Sequence, residues 1–130
     1  MSNVPSDLQY TKEHEWVRVD GTQATIGITD HAQRQLGEVV FVELTKVGDT
    51  FQQTEPMGSV ESVKAVAEFY APVSGKVNEV NKEVNDDPEL VNTDPYGEGW
   101  LLKIQITDSS QLGQLLSADQ YEQYIKEDES

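Results

Sequence analysis

The chain contains no cysteine. Disulfides, thiolate metal sites and a cysteine nucleophile are therefore excluded, and any thiol or redox chemistry must arrive on an attached group. Basic residues are scarce. Nine Lys and Arg stand against 24 Asp and Glu, a net charge of −15 with a pI near 4.2. A field of that sign repels phosphate backbones and anionic lipid, so neither nucleic acid nor a membrane is expected as a partner. It favours solubility and encounters with basic protein surfaces. His14 and His31 are the only histidines. Their spacing supports no zinc site, and both read as hydrogen-bonded surface residues. No apolar run approaches the ~20 residues of a membrane span. Met1–Asp7 has neither the basic and apolar regions of a secretory signal nor the Arg-rich character of a transit peptide. The chain is expected to be cytoplasmic and bacterial-type, or else already processed. Gly-x-Ser-x-Gly elbows and Walker-type loops are also missing, so catalysis by the chain's own side chains is not expected.

What is present fits a soluble globular protein: 130 residues, 36% apolar, with a mean hydropathy of −0.56. That length makes a single domain over 1–130 the default, with residues 1–9 and 127–130 expected to be loosely ordered. Trp16–Val19 and Ala24–Ile28 read as strands joined at Asp20-Gly21. Thr29 or Asp30 is placed to cap a short helix through Leu36, with Gly37 at its left-handed C-terminal position. Val39–Leu44, Met57–Glu61, Val66–Tyr70 and Gly75–Val80 are rich in the residues that pleated, half-buried surfaces prefer. A weak repeat runs through them. Gly37, Val39 and Val42 match Gly75, Val77 and Val80, and Val47-Gly48-Asp49 then matches Val84-Asn85-Asp86, where Gly48 and Asn85 both tolerate positive φ. Asp86–Gly99 reads as a long polar loop, and Trp100–Ile106 returns to strand. Leu112, Leu115 and Leu116 fall on one helical face. Ser117 with Gln120 forms a capping box, after which Tyr121, Tyr124 and Ile125 make a second apolar face. Trp16, Phe41 and Trp100 read as core rather than as platforms for a ligand.

The most informative segment is Gly58-Ser59-Val60-Glu61-Ser62-Val63-Lys64-Ala65-Val66-Ala67-Glu68. Two strand-like runs approach Lys64 from either side, the layout of a β-hairpin whose tip presents one lysine to solvent. Most lysines are solvated charges and nothing more. One at a rigid exposed turn is placed to be found by an enzyme and to carry a group in amide linkage.

Val60-Glu61-Ser62-Val63-Lys64-Ala65, with Tyr70-Ala71-Pro72 after it, resembles the lipoylation site of glycine cleavage system H proteins. The resemblance extends, in order, to His14-Glu15-Trp16-Val17, Gly27-Ile28-Thr29-Asp30, Leu36–Leu44, Pro88–Asn92 and Asp94–Leu101, and so covers roughly residues 8 to 125. It implies a mainly β, lipoyl/biotinyl-domain-like sandwich, a flattened barrel with pseudo-twofold symmetry and short helices including a C-terminal helical segment. It further implies a monomeric, non-catalytic carrier with lipoate on Lys64, where Glu61, Ser62, Val63 and Ala65 form the tip that an attaching enzyme reads. The implied partners are glycine decarboxylase (P protein), aminomethyltransferase (T protein), dihydrolipoyl dehydrogenase (L protein) and a lipoate ligase or octanoyl/lipoyl transferase. Glu15 and Glu68 match positions where acidic side chains help receive the aminomethylated arm, against the plainer reading of a solvated acidic face. Glu13 stands where a smaller hydroxyl residue occurs in the family, and Gln35 where some members have histidine. A lipoyl domain of a 2-oxoacid dehydrogenase would share the hairpin but not the His14–Val17 segment or the Pro95–Trp100 loop. A biotin carrier has methionines beside its lysine, where this chain has Val63 and Ala65. An H-like protein acting mainly as a lipoyl donor in lipoate assembly stays open as the alternative role.

Overall fold

A computed structural model of the chain describes residues 3–129, the last two by backbone alone. It is mainly β. The strands are β1 (Gln9–Tyr10), β2 (Glu15–Asp20), β3 (Gln23–Ile28), β4 (Val39–Leu44), β5 (Thr50–Phe51), β6 (Pro56–Ser62), β7 (Val66–Tyr70), β8 (Gly75–Val80) and β9 (Leu102–Ile106). They build two open sheets, one in the order β1-β2-β3-β9-β8-β5 and one in the order β4-β6-β7. Every pairing is antiparallel. The expected sandwich is present, without closure into a barrel. The repeated Gly-x-Val-x-x-Val segments become β4 and β8, one in each sheet. Val39, Val42 and Val77 are buried together between the sheets with Ile26, Val60, Phe69 and Ile104.

Strand alternation explains a second, smaller core. Neighbouring residues of a strand face opposite sides of the sheet. Val17 therefore joins the inter-sheet core, while Trp16 turns to the other face and packs with Leu8, Tyr10, Ala118, Tyr121 and Ile125. The last three belong to the C-terminal helix α4 (Ala118–Glu129). Its capping box forms in both directions. The Ser117 amide donates to Gln120 Oε1 at 2.9 Å, and the Gln120 amide donates to Ser117 Oγ at 3.2 Å. Tyr121 stacks on Tyr10 with ring centroids 4.6 Å apart and planes within 7°.

Several local expectations are corrected. Residues 3–9 are tied down: Leu8 is buried, the Asn3 amide donates to Asp30 at 2.8 Å, and Gln9 already lies in β1. At the other end α4 continues to Glu129. Met1, Ser2 and Ser130 lie outside the described residues. Leu112 sits in a 3-10 turn (Ser109–Gln114) that ends before Leu115 and Leu116, because Leu116 pairs with Tyr10 as an isolated bridge. The 86–99 loop is interrupted by a short helix, and Asn85 is itself helical. These are α2 (Glu83–Asp86) and α3 (Leu90–Thr93), whose buried Val84 and Val91 anchor them to the main core. Neither histidine is a surface residue: His31 is buried and His14 half-buried, its Nδ1 2.8 Å from the Tyr121 hydroxyl. Trp16 is core, Trp100 is half-buried, and Phe41 is exposed.

Trp16 pairs directly with Gly27 across β2 and β3. Its indole lies over the glycine so closely that a Cβ there would stand 2.6 Å from Nε1, which donates to the Pro95 carbonyl at 2.9 Å. Gly27→Ala should push the indole off this bond and cost about 1–3 kcal/mol, as overpacking does. Urea unfolding of the two proteins measures it.

Candidate functional site

The β6–β7 hairpin places Lys64 at its tip, exposed, on a turn braced by Ser62. The Ser62 hydroxyl accepts from the amides of Lys64 (3.3 Å) and Ala65 (3.0 Å) and donates to the Ala65 carbonyl at 3.2 Å. The Ser62 amide closes the turn on the same carbonyl at 2.8 Å. Glu61 is exposed on β6 beside it, paired with Val66. The tip does not hang free, since the Val63 amide donates to the Glu38 carbonyl at 3.0 Å.

Glu38 belongs to the two-residue link, Gly37-Glu38, between α1 (Asp30–Leu36) and β4. Thr29 caps α1 by accepting from the Ala32 amide, as the sequence suggested. Gly37 ends the helix at φ 82°, ψ −156°, an extended conformation that essentially only glycine adopts, and not the left-handed helical one. Glycine is needed here for a second reason. The Lys64 stem crosses it, with Cε 3.3 Å from where a Cβ would be. Asn92, on α3, holds this link from behind. Its Oδ1 accepts from the Val39 amide at 2.8 Å, and its Nδ2 donates to the Gly37 carbonyl at 2.8 Å and to Gln33 Oε1 at 3.0 Å. Sequence reading placed Asn92 in a family motif but gave it no role. Its signal, an amide able to pair with an N–H and a C=O at once, needs the fold to bring α1, β4 and α3 together.

Glu15 and Glu68 fall in two adjoining cavities. A small one of about 170 Å³ runs beside the edge strand β7 and is lined by His14, Ile28, Ala32, Gln35, Leu36 and Glu68 among others. A larger one of about 410 Å³ is lined by Tyr10, Thr11, Lys12, Glu15, Gln53 and Tyr70 among others. Glu13 lines both. Glu68 is exposed, whereas Glu15 is only 1% exposed. Its Oε1 accepts from the Thr11 hydroxyl at 2.5 Å and its Oε2 from the Tyr70 amide at 3.1 Å. Burial pushes its carboxyl up to about 7, against the opposing pull of those two bonds. The turn that presents Glu13 and Glu15 is tight. Thr11 Oγ1 accepts both their amides, and His14 takes φ 71°, a left-handed conformation uncommon for a residue other than glycine. Among the described residues no cluster of three His, Asp or Glu side chains is disposed to hold a metal ion. No described helix is long and apolar enough to cross a membrane.

The family model described as glycine cleavage H-protein matches residues 8–128. The chain belongs to the glycine cleavage H-protein family. It is 62% identical over 128 residues to the glycine cleavage system H protein of Herpetosiphon aurantiacus, covering 98% of each chain. It is 56% identical over 128 residues to that of Halalkalibacterium halodurans, covering 98% of this chain and all of the relative. A crystal structure of a glycine cleavage system H protein from Mycobacterium marinum superposes with a TM-score of 0.86 at 40% identity, over 98% of this chain and all of that one. The likeness thus spans both sheets, the Lys64 hairpin and the C-terminal helix, and is not confined to a lipoyl-type hairpin that other carriers share.

Two outcomes follow for this member of the family. In Asn92→Ala the Val39 amide and Gly37 carbonyl lose their partner, which should cost about 1–3 kcal/mol and speed hydrogen exchange at the Val63 amide, read by NMR. For Glu15 the sign is set by its raised value. Between pH 4.5 and 7 the folded state holds a proton that the unfolded state has released, so this residue's contribution falls as pH rises. Above pH 7 the ionised, buried carboxylate costs on the order of 3 kcal/mol relative to its unfolded form. Glu15→Gln removes that dependence. The melting-temperature gap between variant and parent should grow in favour of the variant from pH 5 to pH 8.

Proposed function

We propose that the chain is the lipoyl carrier of the glycine cleavage system, acting as one monomeric, cytoplasmic domain with lipoate amide-linked to Lys64. The observation that carries this reading is Lys64 itself, exposed on a turn braced by Ser62 and docked on Glu38, in a chain of this family. The residues fit the group. The amine is accessible, the tip is rigid, and the flanking Val63 and Ala65 are exposed and leave room for an enzyme. Bound there, lipoate supplies the sulfur pair on which the one-carbon unit of glycine travels from the P protein to the T protein, with reoxidation by the L protein.

The chain's own residues hold and receive. Tethering keeps one reactive end at high effective concentration for successive partners. Edge strand β7 offers a graded acidic path away from the tip. Glu68 lies two residues beyond Val66 and Tyr70 two further, so at roughly 3.4 Å per residue the Glu15 carboxyl sits about 14 Å along from Val66. A cationic amine brought there would favour ionised Glu15, releasing its proton as the ion pair forms. Water reaches a buried carboxylate poorly, which suits shelter of a hydrolysable group. A carrier of this kind does not itself catalyse. An H-like protein serving mainly as lipoyl donor in lipoate assembly would use the same Lys64 tip but would have no need of the Glu15 cavity.

The test is intact mass and turnover together. Incubation with a lipoate ligase, lipoate and ATP should add one lipoyl increment, mapped to Lys64. The modified protein should support glycine decarboxylation by a P protein. Lys64→Arg should melt within about 0.5 kcal/mol of the parent, gain no mass and support no turnover. A lipoyl increment elsewhere, or turnover with the arginine variant, defeats the assignment.

A further inference from the structure

Apolar side chains standing singly on a surface are ordinary, but gathered ones mark interfaces. Of the six large apolar side chains exposed among the described residues, four surround Lys64: Val40 (44%), Phe41 (51%), Val63 (67%) and Val66 (63%). The register shows how they meet. Phe41 pairs with Glu61 and Glu61 with Val66. Directly paired residues share a face, so these three stand in one row across the outer side of the three-stranded sheet. The next row is Glu43, Ser59 and Glu68. Val42 and Val60, paired on the inner side, are buried. A bulge between Val39 and Phe41 breaks the alternation and leaves Val40 exposed beside Phe41. No core contact requires apolar side chains in these places.

The charges around them have one sign. Glu38, Glu43, Glu61 and Glu68 are all exposed, and the only cation on β4, β6, β7 or their tip is Lys64, whose charge an amide bond removes. An enzyme that bonds to Nζ must lie against the residues around the lysine Cα, because the stem is only four carbons long. Enzymes that act on the far end of an attached arm have no such requirement. We propose that the outer face of the three-stranded sheet at the Lys64 tip, centred on Phe41 and Val66, is the docking surface for the enzyme that acylates Lys64, and that its counterpart is an apolar patch with a cationic rim. The proposal rests on Lys64 being the attachment site. The docked enzyme holds an activated lipoate, as an acyl adenylate or thioester. The neutral amine attacks the acyl carbon, the C–N bond forms as the bond to the leaving group breaks, and the surplus proton passes to a base of the enzyme.

Two variant pairs test the surface by different physics. Phe41→Ser with Val66→Ser removes the apolar anchors, and Glu43→Lys with Glu61→Lys reverses the rim without touching them. Steady-state lipoylation is followed by intact mass with a lipoate–protein ligase, lipoate and ATP, and folding is checked by thermal melting. Each pair should raise KM for the carrier about tenfold or more while leaving kcat within about a factor of two, the pattern of lost docking. Val19→Ser with Val47→Ser, at the two exposed apolar residues outside this cluster, should change neither. A parental KM in either folded pair overturns the docking surface. Failure of the unaltered chain to gain a lipoyl increment at Lys64 would instead defeat the reading of the site on which the proposal rests.

Discussion

One side-chain amide organises the region that matters most. Asn92 takes the Val39 N–H and supplies an N–H to the Gly37 carbonyl, so the link from α1 to β4 is held at both ends. The carbonyl between them, on Glu38, then stands ready for the Val63 amide. The Lys64 turn is thereby referred to the body of the protein and not only to its own hairpin. A two-stranded hairpin alone is marginal in water. With Glu38 as a fixed acceptor, and Ser62 filling the turn from within, the tip has a defined shape. Gly37 belongs to the same arrangement, since only a glycine takes its backbone conformation and leaves room for the lysine stem.

The energetics of the neighbouring cavities run the other way. Glu15 is a buried carboxyl with two donors and, among the described residues, no cation bonded to it, so its ionised form is disfavoured at neutral pH. That arrangement lowers stability by itself, which is how protein sites that await a partner often look. The strained His14 that presents it adds to the cost. Glu68, exposed on β7, carries no such penalty. The two acids therefore differ in kind. One is a solvated charge near the tip and the other a sheltered proton donor or acceptor farther along the strand.

The outer face of β4-β6-β7 combines apolar and acidic residues in adjacent rows. The acidic excess is spread over the whole chain, so its long-range field speeds encounter with basic surfaces and is screened over about 8 Å at physiological salt. The apolar row is local and is not screened. Under the proposed carrier role that division has a use: a shared acidic field would attract each partner, while the contact proposed for the enzyme working on Nζ is confined to residues beside the lysine.

Much of this was legible in the chain. Local rules with a fixed period or a fixed cap came through: the β2–β3 hairpin at Gly21, the Thr29 cap, the Ser117–Gln120 box and the Lys64 hairpin. The failures share a cause. Leu112, Leu115 and Leu116 have helical spacing, but pairing of Leu116 with Tyr10 outweighs local preference. Asn85 was matched to Gly48 by type, yet it lies in a helix that Val84 anchors. Phe41 looked like core because aromatics usually are, and only the bulge on β4 reveals that it faces outward. By itself the sequence determined the absence of cysteine, which is a matter of composition, and the strand periodicity, the capped helix ends and the one lysine set at a turn, because each of these depends on neighbours along the chain. Only the tertiary structure decided that Asn92 fixes the Lys64 tip, that Glu15 is buried while Glu68 is not, and that Phe41 and Val66 share a face. Those facts depend on which distant segments meet, and burial and cross-strand register exist only once they have met.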